Sequence, residues 1–130
     1  MDAINNIFKA YDVRGKVGSE LTSDVTHKIG QAFADWLPNE GAVAVGRDMR
    51  PDSAELADAL IEGLRRQGRN VINIGQVTSD MIYFAVGHFK LAGGAVVTAM
   101  DPGYPPALSS VDPRPPVLYV AGDADRKSVV

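Results

Sequence analysis

Ala42-Val43-Ala44-Val45-Gly46-Arg47-Asp48-Met49-Arg50-Pro51 is the stretch that decides the fold. A short apolar run closed by glycine has the pattern of a strand buried on both faces. Pro51 suits the first turn of a following helix, where its missing N–H costs nothing. Asp52 and Glu55 lie near the positive start of that helix. Leu56, Leu60 and Leu64 recur four apart on one face, and Arg65, Arg66 and Arg69 cluster near the negative end. Gly68 supplies a C-terminal glycine, and Asn70–Gly75 reads as the next strand.

The same alternation extends outward. Upstream, Ile7–Asp12 reads as a short strand that breaks at Arg14-Gly15. Thr22 or Ser23 can cap a helix whose face is Val25, Ile29, Phe33, Trp36 and Leu37, with Phe33 and Trp36 expected in the core. Pro38-Asn39-Glu40-Gly41 ends it. Downstream, Thr78 or Ser79 can cap a third helix carrying Met81, Phe84, Ala85 and His88, and Gly93–Thr98 reads as a last strand. Strands alternating with helices predict an α/β fold: a three-layer domain with a mostly parallel mixed sheet flanked by helices. Ligands of such sheets bind at the carboxyl ends of the strands.

Composition narrows the function classes. The chain has 130 residues, 13 basic and 16 acidic side chains, a net charge of −3 and no cysteine. That balance gives no electrostatic reason to expect nucleic acid as a partner. Absence of cysteine removes disulfides, thiolate catalysis and cysteine-based zinc sites. No apolar run approaches the roughly 20 residues of a membrane span, and the N-terminus lacks the basic and apolar regions of a signal peptide. A cytoplasmic domain with no membrane partner is the expectation. Six of the eight prolines lie between Pro102 and Pro116. Residues 1–99 therefore read as the folded domain and 100–130 as a Pro-rich tail. Asp101–Arg126 shows no helical or strand period longer than a few residues. One further reading is a non-functional fragment that misfolds, its cue a lost pairing partner beyond Thr98 that leaves Gly93–Thr98 at an exposed edge.

Two loops at strand ends carry candidate chemistry. In Gly46–Pro51, Arg47 and Arg50 before a helix start could hold a phosphate or carboxylate, with Asp48 between them. A surface loop with a weak Arg–Asp pair is the plainer reading. In Tyr11–Gly15, Arg14 beside a glycine is placed for an anion or lies in a solvated turn. There is no GxGxxG fingerprint and no Walker loop, and the spacing of Gly93-Gly94 is not that of a phosphate cradle. His27 and His88 read as surface or boundary residues. No metal-ligand set is evident.

Four segments in order resemble the α-D-phosphohexomutases, most closely the bacterial phosphomannomutase/phosphoglucomutase group. These are Phe8–Gly15, Gly46–Arg50, Ile82–Ala85 and Gly93–Ala99. The resemblance covers residues 7–99 and implies that the chain is domain I of a four-domain enzyme. Such enzymes interconvert hexose 1-phosphates and hexose 6-phosphates. A phosphoserine gives its phosphoryl group to the sugar, and the bisphosphate intermediate returns the other one, with Mg²⁺ neutralising phosphate oxygens. Mannose and glucose phosphates both remain open as substrates. By resemblance Tyr11 and Arg14 line the cleft, Thr98 begins the catalytic loop, and Arg47, Asp48 and Arg50 form a loop whose role is structural or phosphate-binding.

The family's catalytic loop reads Thr-Ala-Ser-His-Asn-Pro. Here Thr98-Ala99 matches and the pattern then fails. Met100 takes the serine position, or else the Ser-His-Asn-Pro element is deleted before it. A thioether cannot carry a phosphoryl group, so no turnover by this chain alone, and no Mg²⁺ bound to it, is expected. The alternative is a non-catalytic phosphosugar-binding or interaction module. Asp125–Val130 resembles one reading frame of a sequencing adapter, so the stretch from Met100 is expected to be frame-shifted or adapter-derived, or else to belong to a natural truncated pseudoenzyme.

Overall fold

Residues 13–15, 17–98 and 117–122 are described by the computed structural model. In chain order the elements are β1 (Val13–Gly15), α1 (Ser23–Trp36), β2 (Val43–Arg47), α2 (Pro51–Arg66), β3 (Val71–Gln76), α3 (Ser79–His88), β4 (Gly93–Thr98) and β5 (Val117–Gly122). The sheet order is β1-β5-β4-β2-β3, and every described pairing is parallel.

The helix starts follow their local sequence. Thr22 caps α1, its Oγ1 accepting from the Val25 N–H at 3.1 Å. Pro51 occupies the first turn of α2, whose cap position, Arg50, uses no side-chain bond. Just past α2, Gly68 takes φ +89°, the left-handed conformation that lets the chain reverse.

Handedness explains the layers. The connections β1→β2 and β2→β3 move in one direction across the sheet, so right-handed crossovers carry α1 and α2 over the same face. The connection β3→β4 moves back, which puts α3 on the other face. Alternating strand residues follow suit. Val43, Val45, Ala95, Val97 and Val120 pack with Ile29, Phe33, Leu56, Leu60 and Leu64 on the α1/α2 side. Ala44 and Val96 pack with Ile82 and Tyr83 under α3. This is the expected three-layer α/β architecture.

Glycines set the close approaches between layers. A Cβ on Gly30 would stand 2.5 Å from the Leu60 carbonyl oxygen, so α1 and α2 cross backbone to backbone. A Cβ on Gly94 would meet Val86 Cγ2 at 2.8 Å and Ile82 Cγ1 at 3.0 Å. One glycine of the Gly93-Gly94 pair therefore seats α3 on the sheet.

Arg69 closes the opposite end of the α1/α2 pair. Only 9% exposed, its guanidinium donates to the carbonyls of Ala34, Asn39 and Gly41. The charge meets unsatisfied carbonyls at and beyond the α1 C-terminus, which carries the negative end of the helix dipole.

Three expectations are corrected. Trp36 is 70% exposed rather than in the core. The buried face runs Ile29, Phe33, Leu37, and Trp36 lies a hundred degrees off Leu37 in the last turn, laying its ring near Phe33 at 6.1 Å between centroids. Arg14-Gly15 continues β1 rather than breaking it. Finally, Gly93–Thr98 is an interior strand, because β5 pairs with it from Gly94↔Val117 to Thr98↔Ala121. Val117–Ala121 closed by Gly122 carries the same apolar pattern as the run before Gly46, a strand signal that the Pro-rich surroundings masked. The proposed strand Ile7–Asp12 lies outside the described residues.

Candidate functional site

Parallel strands bring their carboxyl ends to one edge of the sheet. Gly15, Arg47, Gln76, Thr98 and Gly122 mark that edge. Arg47 of β2 pairs in register with Val97 of β4, so Asp48 and Thr98 leave the sheet side by side.

Hydrogen bonds stitch the loop after β2 to both neighbours. The Asp48 N–H donates to the Val97 carbonyl at 2.9 Å, continuing the ladder one step past β2. The Asp48 carboxylate accepts from Thr98 Oγ1 at 3.2 Å through Oδ2, and from the Arg50 N–H at 3.1 Å through Oδ1. On the other side, the Arg47 carbonyl accepts from the Val77 N–H at 3.0 Å. The Arg47 guanidinium folds onto its own loop, donating to the Asp48 carbonyl at 3.0 Å. Among the described residues, the Arg50 side chain makes no hydrogen bond or ion pair.

A bulge in β3 shapes the floor. Val45 pairs with Asn73 and Gly46 with Gly75, leaving Ile74 as the extra residue. Gly75 takes φ +72°, and its N–H donates to Asn73 Oδ1 at 2.9 Å. The bulge brings Val77 over β2, where a Cβ on Gly46 would stand 2.3 Å from Val77 Cγ2. Arg47, Asp48, Met49, Gln76, Val77, Thr78 and Met81 line an open pocket of about 370 Å³ there.

Four of the residues singled out from sequence, Arg47, Asp48, Arg50 and Thr98, come together at the ends of β2 and β4. Arg14 is placed by its backbone on β1, in register with Ala121 and two strands away from β4. Tyr11 and Met100 lie outside the described residues. The pocket's far wall, Gln76 to Met81, was read only as a loop and a helix start and carried no functional signal, since a bulge that turns a loop inward leaves only a lone glycine, Gly75, as its trace. Chemically, two guanidiniums against one carboxylate leave the loop net positive, suited to an anion. Asp48 itself would repel an anion, and both its oxygens already accept from protein donors. Among the described residues no group of three or more His, Cys, Asp and Glu side chains could hold a metal ion. No helix among the described residues is long and apolar enough to cross a membrane.

The geometry defines a three-layer α/β/α domain with an anion-suited loop at the carboxyl edge of a parallel sheet. Residues 5–101 match the family profile "Phosphoglucomutase/phosphomannomutase, alpha/beta/alpha domain I". The chain belongs to this family. It is 48% identical over 92 residues to the phosphohexose mutases of Xanthomonas campestris, covering 71% of this chain and 20% of the relative. It is 44% identical over 92 residues to a phosphomannomutase of Klebsiella pneumoniae, covering 71% of this chain and 58% of that one. Among solved structures, a phosphoglucomutase/phosphomannomutase family protein of Burkholderia thailandensis superposes with TM-score 0.59 at 44% identity, over 62% of this chain and 18% of that one. The chain spans about a fifth of the length of the first curated relatives it matches.

Proposed function

We propose that this chain supplies domain I of a cytoplasmic phosphohexomutase, an enzyme that exchanges the phosphoryl group between the 1- and 6-positions of a hexose phosphate through a phosphoserine, with Mg²⁺ as cofactor. The observation that carries the reading is the family match across residues 5–101, which ends just past Thr98 at the carboxyl end of β4. In this reading Arg14, Arg47 and Arg50 draw the phosphate toward that edge, and Tyr11 lines the cleft. Phosphoryl transfer requires an oxygen that gives up a proton and forms the new P–O bond. A Met100 thioether at the carrier position has no such oxygen, so the chain alone does not turn over.

The test is a coupled assay with mannose 1-phosphate, Mg²⁺ and a hexose bisphosphate activator. Turnover above a blank overturns the inactive reading. A second reading, a phosphosugar-binding module without catalysis, is favoured by the retained loop in which Arg50 has no partner among the described residues. Calorimetry with mannose 6-phosphate separates the two: binding without turnover supports the module.

A further inference from the structure

We propose that Asp48 is a positioning residue: its single carboxylate fixes both the hydroxyl of Thr98 and the cap residue of α2, Arg50, holding the end of β4 and the arginine loop as one unit. This rests on the reading above, in which the chain leaving Thr98 leads to the family's carrier position and the Arg47/Arg50 loop draws the phosphate.

The argument is one of acceptors and donors. A carboxylate offers two acceptor oxygens, and here each faces a donor from a different element. Oδ2 takes the Thr98 hydroxyl of β4 at 3.2 Å, and Oδ1 takes the Arg50 N–H at the start of α2 at 3.1 Å. The Asp48 backbone adds a third tie through Val97 at 2.9 Å. Asp48 and Thr98 are both half-buried, so water competes less for these bonds than at a free surface. Arg50 sits two residues along the chain, so fixing its N–H fixes where its side chain begins. A residue that served only the start of α2 would need one acceptor; Asp48 uses both.

Asparagine at this position preserves the geometry. Its Oδ1 can keep the Arg50 N–H, while its Nδ2 donates to Thr98 Oγ1 with the hydroxyl turned round. Alanine removes both bonds, valine at position 98 removes one, and serine there keeps it.

The experiment is amide hydrogen exchange and side-chain coupling measured by NMR on the full chain. Asp48→Ala should average the Thr98 χ1 couplings over several rotamers, and Asp48→Asn should keep one rotamer. Thr98→Val should speed exchange of the Asp48 amide at least tenfold, leaving Val96 within twofold, and Thr98→Ser should restore protection. If Thr98→Val leaves the Asp48 amide unchanged and Asp48→Ala leaves the Thr98 couplings unchanged, the positioning role is overturned and Asp48 serves α2 alone. Mannose 6-phosphate titration supplies a second readout: Asp48→Ala and Thr98→Val should bind at least tenfold more weakly, Thr98→Ser as the parent, and Asp48→Asn, which keeps both bonds and loses the repelling charge, at least as tightly as the parent. A parent chain that binds no mannose 6-phosphate overturns the phosphosugar reading instead, and the exchange data then decide the role of Asp48 by themselves.

Discussion

A Cβ added to Gly63 would stand 2.0 Å from the carbonyl oxygen of His27, closer than any real contact permits. Both atoms are held by helix backbone, so neither can step aside. Gly63→Ala should therefore force α1 and α2 apart and lower stability by about 2 kcal/mol. Gly87, also helical, has nothing within 4 Å of such a Cβ. Gly87→Ala should raise stability by about 0.5 kcal/mol through helix propensity. Urea unfolding midpoints at constant slope check both signs.

Arg69 should tolerate no substitution, lysine included. Its planar fork reaches carbonyls of Ala34, Asn39 and Gly41 at once, which a single ammonium cannot match. Arg69→Met leaves buried carbonyls without donors and should cost about 3 kcal/mol. Arg69→Lys should fall between Met and the parent. Thermal unfolding monitored by circular dichroism orders the three.

Phe33 and Trp36 should behave oppositely despite sharing a helix. Phe33 is 7% exposed in the α1/α2 core and Trp36 is 70% exposed. Phe33→Ala should cost about 3 kcal/mol and Trp36→Ala no more than about 0.5 kcal/mol. The single tryptophan also makes fluorescence in the folded chain that of a solvated indole, red-shifted before any denaturant is added.

The two threonine caps should differ as well. Thr22 caps α1 through its hydroxyl, whereas Thr78 at the start of α3 makes no side-chain cap bond. Thr22→Ala should cost about 1 kcal/mol. Thr78→Ala should cost less than half of that in the same denaturation series.

The sequence made the βαβ order, the α2 leucine face and the Pro51 start readable because each follows a local rule. Two of the four motifs that carry the family likeness of residues 7–99, Gly46–Arg50 and Gly93–Ala99, reach the strand ends where the structure gathers Arg47, Asp48, Arg50 and Thr98, while Ile82–Ala85 lies within α3. Features set by long-range pairing were hidden. Val117–Gly122 is an apolar run closed by glycine, like Ala42–Gly46, but nothing local in it says that the strand inserts between β1 and β4. The burial of Arg69, last in an exposed-looking run of arginines, depends on carbonyls some thirty residues away. The Asp48–Thr98 bond spans fifty positions and appears only once β2 and β4 lie side by side.

The strand order carries a consequence for synthesis. Among the described residues, β1 has β5 as its only neighbour in the sheet, the strand made last of the five. A chain emerging from the ribosome can assemble β2, α2, β3, α3 and β4 in the order they appear, each finding a partner already made. β1 must wait, its backbone unpaired, until Val117–Gly122 arrives to bridge it to β4. Growth of this sheet is vectorial for its middle and deferred for its first strand. Ribosome-stalled chains that stop before Val117 should therefore be open to proteolysis around Val13–Gly15 while α2 is already protected.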